Sequence, residues 1–264
     1  KSGTYNGDVD KQMKKVIEYF VTKQAAAEIY VGTDYKETSI SSNVYKIIRN
    51  CQLQGGLAIA CGDAGIGKTQ ACRQYYREHG TNCIYITVNP CIKSSKSVLE
   101  LIGSKLNVSS GSVSRLWLEI SSKLSDGMVI IVDEAQHLTR NAIDTLRILC
   151  DCFDEKGQTL GICFVGNETT VSRLGGKQKA EFAQIRNRTK NTRFYSVKQI
   201  KKSDIEMLFP DIREDTAAVE FLLCIAQSPQ AIRGAVNLYS NALDNGNVTA
   251  KGLSAIAKYM DMAV

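Results

Sequence analysis

The sequence predicts an α/β fold, a five-stranded parallel sheet flanked by helices, followed by a small C-terminal helical bundle. Three observations lead there. From Leu57 onward, short apolar runs alternate with segments of helical period, the pattern of a parallel sheet covered on both faces. The stretch Gly62-Asp63-Ala64-Gly65-Ile66-Gly67-Lys68-Thr69 comes after the first apolar run, precedes a helical segment, and fits G-x-x-x-x-G-K-[ST] in full. Beyond Lys201 no segment reads as a strand.

Taken in order, the chain first predicts a helix over 8–29. Met13, Val16, Ile17, Phe20 and Val21 recur there at helical spacing, and Asp8 or Asp10 can cap it. Its apolar stripe would pack on the neighbouring α/β domain or on an adjacent subunit. A polar link over 32–38 leads to a second helix near 41–52. Strands are expected at 57–61, 83–88, 128–132, 159–165 and 193–197. Helices are expected at 70–79, 97–106 and 113–124. Ser203-Asp204-Ile205-Glu206 reads as a capping box, ahead of helices over 216–226, 230–244 and 250–260. The expected division is 1–8, N-terminal helices over 9–54, an α/β domain over 55–200 and a helical lid over 201–264.

Composition narrows the class. The 264 residues are 44% hydrophobic and 23% charged, ordinary for a globular protein. No apolar run reaches the roughly 20 residues that span a bilayer, and no export signal is visible, so a cytoplasmic location without a membrane partner is expected. The first residue is Lys1 and not Met, which predicts a fragment or processed chain. Nine cysteines, an odd number scattered through expected strands and helices, argue for reduced thiols over a disulfide framework. Cys150-Asp151-Cys152 has no second Cys/His pair to complete a zinc site. The net charge of +6 leans toward an anionic partner, and between Gly166 and Lys202 ten Lys/Arg face only Glu168 and Glu181. Trp117 and the tyrosines show no spaced base-stacking pattern, which disfavours a reader of single strands.

The glycine-rich stretch carries the chemistry. Its glycines let successive N–H groups turn inward, and the helix behind adds the positive end of its dipole, so a polyphosphate finds an anion site. Lys68 would reach the β- and γ-phosphates, and Thr69 would offer its hydroxyl to Mg²⁺. The apolar run Met128-Val129-Ile130-Ile131-Val132 ends in two acids; Asp133 suits the Mg²⁺ shell and Glu134 suits polarising the attacking water. Asn167, after Cys163-Phe164-Val165-Gly166, is placed to position that water, although an Asn there also suits a helix cap or turn. ATP and Mg²⁺ are thus the expected cofactors.

With these motifs in place the chain resembles the P-loop AAA+ ATPases. More narrowly it resembles the Mu B family of transposition ATPases, related to IstB and TnsC. The segments that carry the likeness are 59–69, 129–138 with Thr145-Leu146-Arg147-Ile148-Leu149, Val165-Gly166-Asn167 with Gly175-Gly176 and Ala180-Glu181-Phe182-Ala183, and Ile225-Ala226-Gln227 with Ala231-Ile232-Arg233. The resemblance implies that residues 1–8 are the remnant of an upstream helix-turn-helix domain. It implies that Asn167 is a sensor, that Arg233 of the C-terminal bundle senses nucleotide, and that an arginine acts in trans. Arg186, Arg188 and Arg193 lie before or at the start of the expected fifth strand; Arg188 is favoured. It further implies ATP bound between adjacent subunits, a homo-oligomeric helical filament on double-stranded DNA, and recruitment or activation of a transposase. Lys93, Lys96, Arg173, Lys177 and Lys179 are the candidate DNA contacts.

Two other readings share the ATPase core. Asp133-Glu134-Ala135-Gln136-His137 resembles a helicase box, but a helicase needs a second motor domain for which the chain is too short, leaving a replicative helicase loader. A nucleotide-switched signalling ATPase would use the sensors without the basic segments.

Overall fold

Neighbouring residues of a strand point to opposite faces, and here both faces are apolar. In β1 (Gly56–Gly62), Leu57, Ile59 and Cys61 join one buried cluster, while Ala58 and Ala60 join another. The computed structural model describes residues 9–28, 35–170 and 189–262. Its sheet is completed by β2 (Cys83–Thr87), β3 (Met128–Asp133), β4 (Leu160–Gly166) and β5 (Thr189–Tyr195). All four pairings are parallel, in the order β2-β3-β4-β1-β5, so this is the five-stranded parallel sheet that the apolar runs predict.

Helices cover both faces. One carries α2 (Ser39–Gln54) and α3 (Lys68–His79), with Val44, Ile48, Ala71 and Tyr75 packed on Ala58, Ala60, Val129, Ile131, Cys163 and Val165. The other carries α4 (Ser95–Lys105), α5 (Val113–Lys123) and α6 (Arg140–Asp154). The C-terminal helices α7 (Lys202–Leu208), α8 (Thr216–Ala226), α9 (Ala231–Asp244) and α10 (Ala250–Tyr259) extend the first cluster through Phe209, Leu222, Leu238 and Leu253. The rings of Phe209 and Tyr239 meet there at 4.6 Å.

Several expectations need correcting. The fifth strand starts at Thr189 and ends at Tyr195, so Arg193 lies inside it and Val197 belongs to a short 3₁₀ turn. The helix α6 is absent from the expected set, although Thr139 caps it and Ile143, Leu146, Leu149, Cys150 and Phe153 are buried along one stripe. Asp10 sits in the first turn of α1 (Val9–Glu28) instead of capping it, and Asp8 lies outside the described residues. The α1 stripe does not pack on the sheet domain: Met13, Val16, Ile17, Phe20 and Val21 are all exposed. Six cysteines are buried among aliphatic side chains, while Cys91 and Cys224 are exposed. No described helix is long and apolar enough to cross a membrane.

The expected capping box is also shifted, and its acid has larger work. The carboxylate of Asp204, 2% exposed, accepts the Lys201 N–H at 2.9 Å, so the cap precedes Ser203 by two residues. It also accepts the Ser39 N–H and the Ser39 hydroxyl, both at 2.7 Å. One buried charge thereby ties the start of α2 to the start of α7, 165 residues later. Hydrogen bonds to an ionised group are worth about 1.5–3 kcal/mol each, and those left open inside cost the full desolvation of their donors. Asp204→Ala should therefore lower unfolding free energy by about 3–5 kcal/mol, against about 1 kcal/mol for Ser39→Ala, as read by urea denaturation. Equal small losses in both variants would show that the tie carries no weight.

Candidate functional site

Parallel strands place all their carboxyl ends on one edge of the sheet. The loop after β1 is the phosphate-loop sequence. Here Gly65 has φ 75° and Gly67 φ 96°, left-handed values that favour glycine. A side chain at Gly62 would place its Cβ 2.0 Å from the Tyr195 carbonyl oxygen, so the loop presses directly on the end of β5. Asp63 fastens it there: its N–H donates to Tyr195 O at 3.0 Å and its Oδ2 accepts the Val197 N–H at 2.8 Å. The N–H groups of Gly65, Ile66 and Gly67 have no acceptor among the described residues, and α3 begins immediately behind them. A curl of unpaired donors at a helix N-terminus is what a polyphosphate requires.

The charged groups of the site are held partly out of water. Lys68 Nζ donates to the carbonyls of Gly62 at 2.9 Å and Asp63 at 2.6 Å. Desolvation lowers its pKa, and the nearby Asp133 and Glu134 carboxylates oppose that shift. Asp133, at the end of β3, is 2% exposed, and burial raises its pKa against hydrogen bonds from Thr69, Tyr85 and the Glu134 N–H. The ionised carboxylate is therefore costly as it stands, and a cation beside it would remove that cost. Thr69, already bonded to Asp133, completes a pair of oxygen donors suited to Mg²⁺.

Glu134 is the next residue, and its backbone is left-handed, with φ 57°. Backbone of that kind in a residue with a side chain is strained and turns the chain sharply into the 3₁₀ turn Ala135–His137. Asn167, just past β4, uses Oδ1 to accept from the Thr169 N–H at 3.0 Å and the Thr169 hydroxyl at 2.6 Å. The capping role anticipated for it is thus present, and its Nδ2 is the group with which a sensor role would be played. Arg233 comes to the loop from α9: its N–H donates to Gly65 O at 3.2 Å. Ala231 accepts φ 56° to bring α9 there, and a Cβ on Gly65 would meet the Cβ atoms of Ala231 and Arg233 at 3.2 Å. The structure therefore gathers Gly62 through Thr69, Asp133, Glu134, Asn167 and Arg233.

The predicted DNA contacts do not gather in the same way. Lys93 is exposed in the turn after β2, on the phosphate-loop edge of the sheet. Lys96 is not in that turn but in the first turn of α4, paired with Glu100 at 3.9 Å. Arg173, Lys177, Lys179, Arg186 and Arg188 lie outside the described residues.

Sequence reading missed Tyr85. Its hydroxyl donates to Asp133 Oδ2 at 3.0 Å, and strand register explains why: β2 pairs Thr87 with Asp133, which puts Tyr85 on the same face two residues earlier. An aromatic alternating with Ile84 and Ile86 in β2 was the available signal. Tyr85→Phe keeps the ring and strips one donor from the buried carboxylate, a loss of about 1–3 kcal/mol in unfolding free energy without nucleotide. Urea denaturation reads it, and saturating Mg²⁺ with nucleotide should shrink the difference; a variant as stable as the parent would remove Tyr85 from the site.

A family model described as an AAA domain matches residues 51–174. The ATP-dependent target DNA activator B of Escherichia phage Mu is 28% identical over 256 residues, covering 94% of this chain and 77% of that protein. The Mu-like prophage FluMu DNA transposition protein B of Haemophilus influenzae is 28% identical over 247 residues, covering 89% of this chain and 82% of that protein. Among solved structures, Cdc6p from Pyrobaculum aerophilum superposes with a TM-score of 0.62 at 15% identity, over 86% of this chain and 69% of that one. The Aeropyrum pernix ORC1 protein in complex with DNA gives 0.58 at 15% identity, over 84% and 64%. Those two likenesses show the fold alone, the helix-flanked parallel sheet described above. Residues 51–174 thus match an AAA domain, and over most of its length the chain is similar to the Mu B transposition proteins.

Proposed function

We propose that the chain hydrolyses ATP, binds duplex DNA in an ATP-dependent and sequence-tolerant manner, oligomerises on target DNA, and recruits or activates a transposase. The observation that carries this reading is the convergence of Lys68, Thr69, Asp133, Glu134 and Arg233 on one loop, in a chain that aligns over 94% of its length with a target DNA activator. In it, Lys68 exchanges its two carbonyl partners for phosphate oxygens, while the N–H groups of Gly65 to Gly67 hold the phosphate chain. Thr69 and Asp133 would hold Mg²⁺, which when bound would supply charge neutralisation for the phosphates. Glu134 takes a proton from the attacking water, and Asn167 orients that water.

In this reading α9 is the nucleotide-sensing element, because Arg233 rests on Gly65 and any displacement of the loop is felt there. The division into residues 9–54, 55–200 and 201–264 belongs to the same reading. Subunits stacked through the nucleotide would form a helical filament, with Arg188 reaching a neighbour's ATP. Lys93 and Lys96 would join Arg173, Lys177 and Lys179 on the DNA backbone, giving affinity without base readout.

Fluorescence polarisation with a labelled random duplex should show binding that requires ATP or its analogue and weakens steeply with salt. Equal binding with and without nucleotide would overturn the proposal. Glu134→Gln should retain ATP and DNA binding while turnover falls by about 10²-fold or more, measured as phosphate release. Undiminished hydrolysis by that variant would place the base elsewhere.

A further inference from the structure

Gln136 holds neither phosphate, metal nor water in the proposed reaction, yet it touches two residues that take part. It is 9% exposed and stands two residues beyond Glu134. Its Nε2 donates to Glu134 Oε2, and its Oε1 accepts the backbone N–H of Asn167 at 3.3 Å. Chemistry decides which end of the amide faces which partner, because a carboxylate only accepts and a backbone N–H only donates.

Two backbone features make the contact possible. The left-handed Glu134 folds the 3₁₀ turn back so that residues 134 and 136 share a side. Gly166 leaves room at the end of β4: a Cβ there would lie 2.5 Å from Gln136 Oε1 and 2.2 Å from the Thr170 hydroxyl oxygen. That hydroxyl is fully buried and has no hydrogen-bond partner among the described residues, so the carboxamide lies beside a buried part of the site. Hydrogen bonds in such a setting hold geometry firmly, because no solvent competes for them.

We propose that Gln136 is a positioning residue for ATP hydrolysis: its carboxamide clamps the Glu134 carboxylate to the end of β4, so that the base and Asn167 are held as one unit. The inference rests on the proposed ATPase reading. Glu134 itself is exposed, on a strained turn, and the amide is the contact that fixes where its carboxylate points. Gln136 touches neither substrate nor water; it acts through Glu134.

Gln136→Glu keeps an acceptor for the Asn167 N–H but loses the donor and sets a second carboxylate beside Glu134. Gln136→Met keeps the length and loses both. Each should lower kcat by about 10- to 100-fold with ATP affinity within about twofold of the parent. In the Glu134→Gln background the same substitutions should cost nothing further, since the group they position is no longer a base. Losses of equal size in both backgrounds, or a weakened nucleotide affinity with unchanged kcat, would reduce Gln136 to packing and overturn the proposal. The bridge itself is read separately by NMR: the side-chain amide resonances that vanish in Gln136→Glu should shift in Glu134→Ala without nucleotide. Unshifted resonances overturn the bridge. A parent chain that hydrolyses no ATP overturns the proposed function and the positioning role with it, while the NMR result still stands or falls alone.

Discussion

Every strand of the sheet runs the same way, and that single constraint decides where chemistry can occur. The phosphate loop leaves the end of β1, Asp133 and Glu134 stand at the end of β3, and Asn167 at the end of β4, so residues more than a hundred positions apart reach one edge. The order β2-β3-β4-β1-β5 then sets β1 between β4 and β5. The loop is braced by Tyr195 at the end of β5 and by Val197 just beyond it, and the acids approach from the other side. A helix from the C-terminal bundle covers the loop through Arg233.

The electrostatics of this edge arise from its burial. Desolvation disfavours the charge on both groups, lowering the pKa of Lys68 and raising that of Asp133, and the Asp133 carboxylate partly offsets the shift on Lys68. Three donors converge on Asp133, yet its pKa stays raised. The stability this group contributes is therefore present below the ordinary Asp pKa and is lost as pH rises through the raised value. A site that is costly when its charges face only one another is a site that gains from a ligand carrying both charges.

How much of this was legible in the sequence depended on whether a residue's role is local. The four apolar strands were found to within a residue or two because burial on both faces writes itself as an unbroken apolar run. The fifth was displaced because Thr189, Lys190, Asn191, Thr192 and Arg193 pair only with β1, through backbone hydrogen bonds that any side chain permits. The phosphate loop and the acids were visible because their spacing is itself the requirement. Tyr85, Gln136 and Asp204 were not, since each works by reaching a residue on another strand or helix, and register and backbone handedness are absent from a one-dimensional pattern. The α1 stripe was read correctly as periodicity but not as burial, for periodicity says which residues share a face and nothing of what covers it.

The distribution of cysteines has a practical side. Burial pushes the Cys61 thiol up to about 11 and those of Cys51 and Cys83 to about 12, so these sulfurs, like the fully buried Cys72 and Cys163, are poor nucleophiles in the folded protein. Cys91 is exposed two residues before Lys93, and Cys224 is exposed on α8. A maleimide dye added to the native chain would thus label Cys91 on the phosphate-loop edge and Cys224 on the C-terminal bundle ahead of the half-buried Cys152. Movement of the bundle against the sheet would be readable as a distance without altering a single residue.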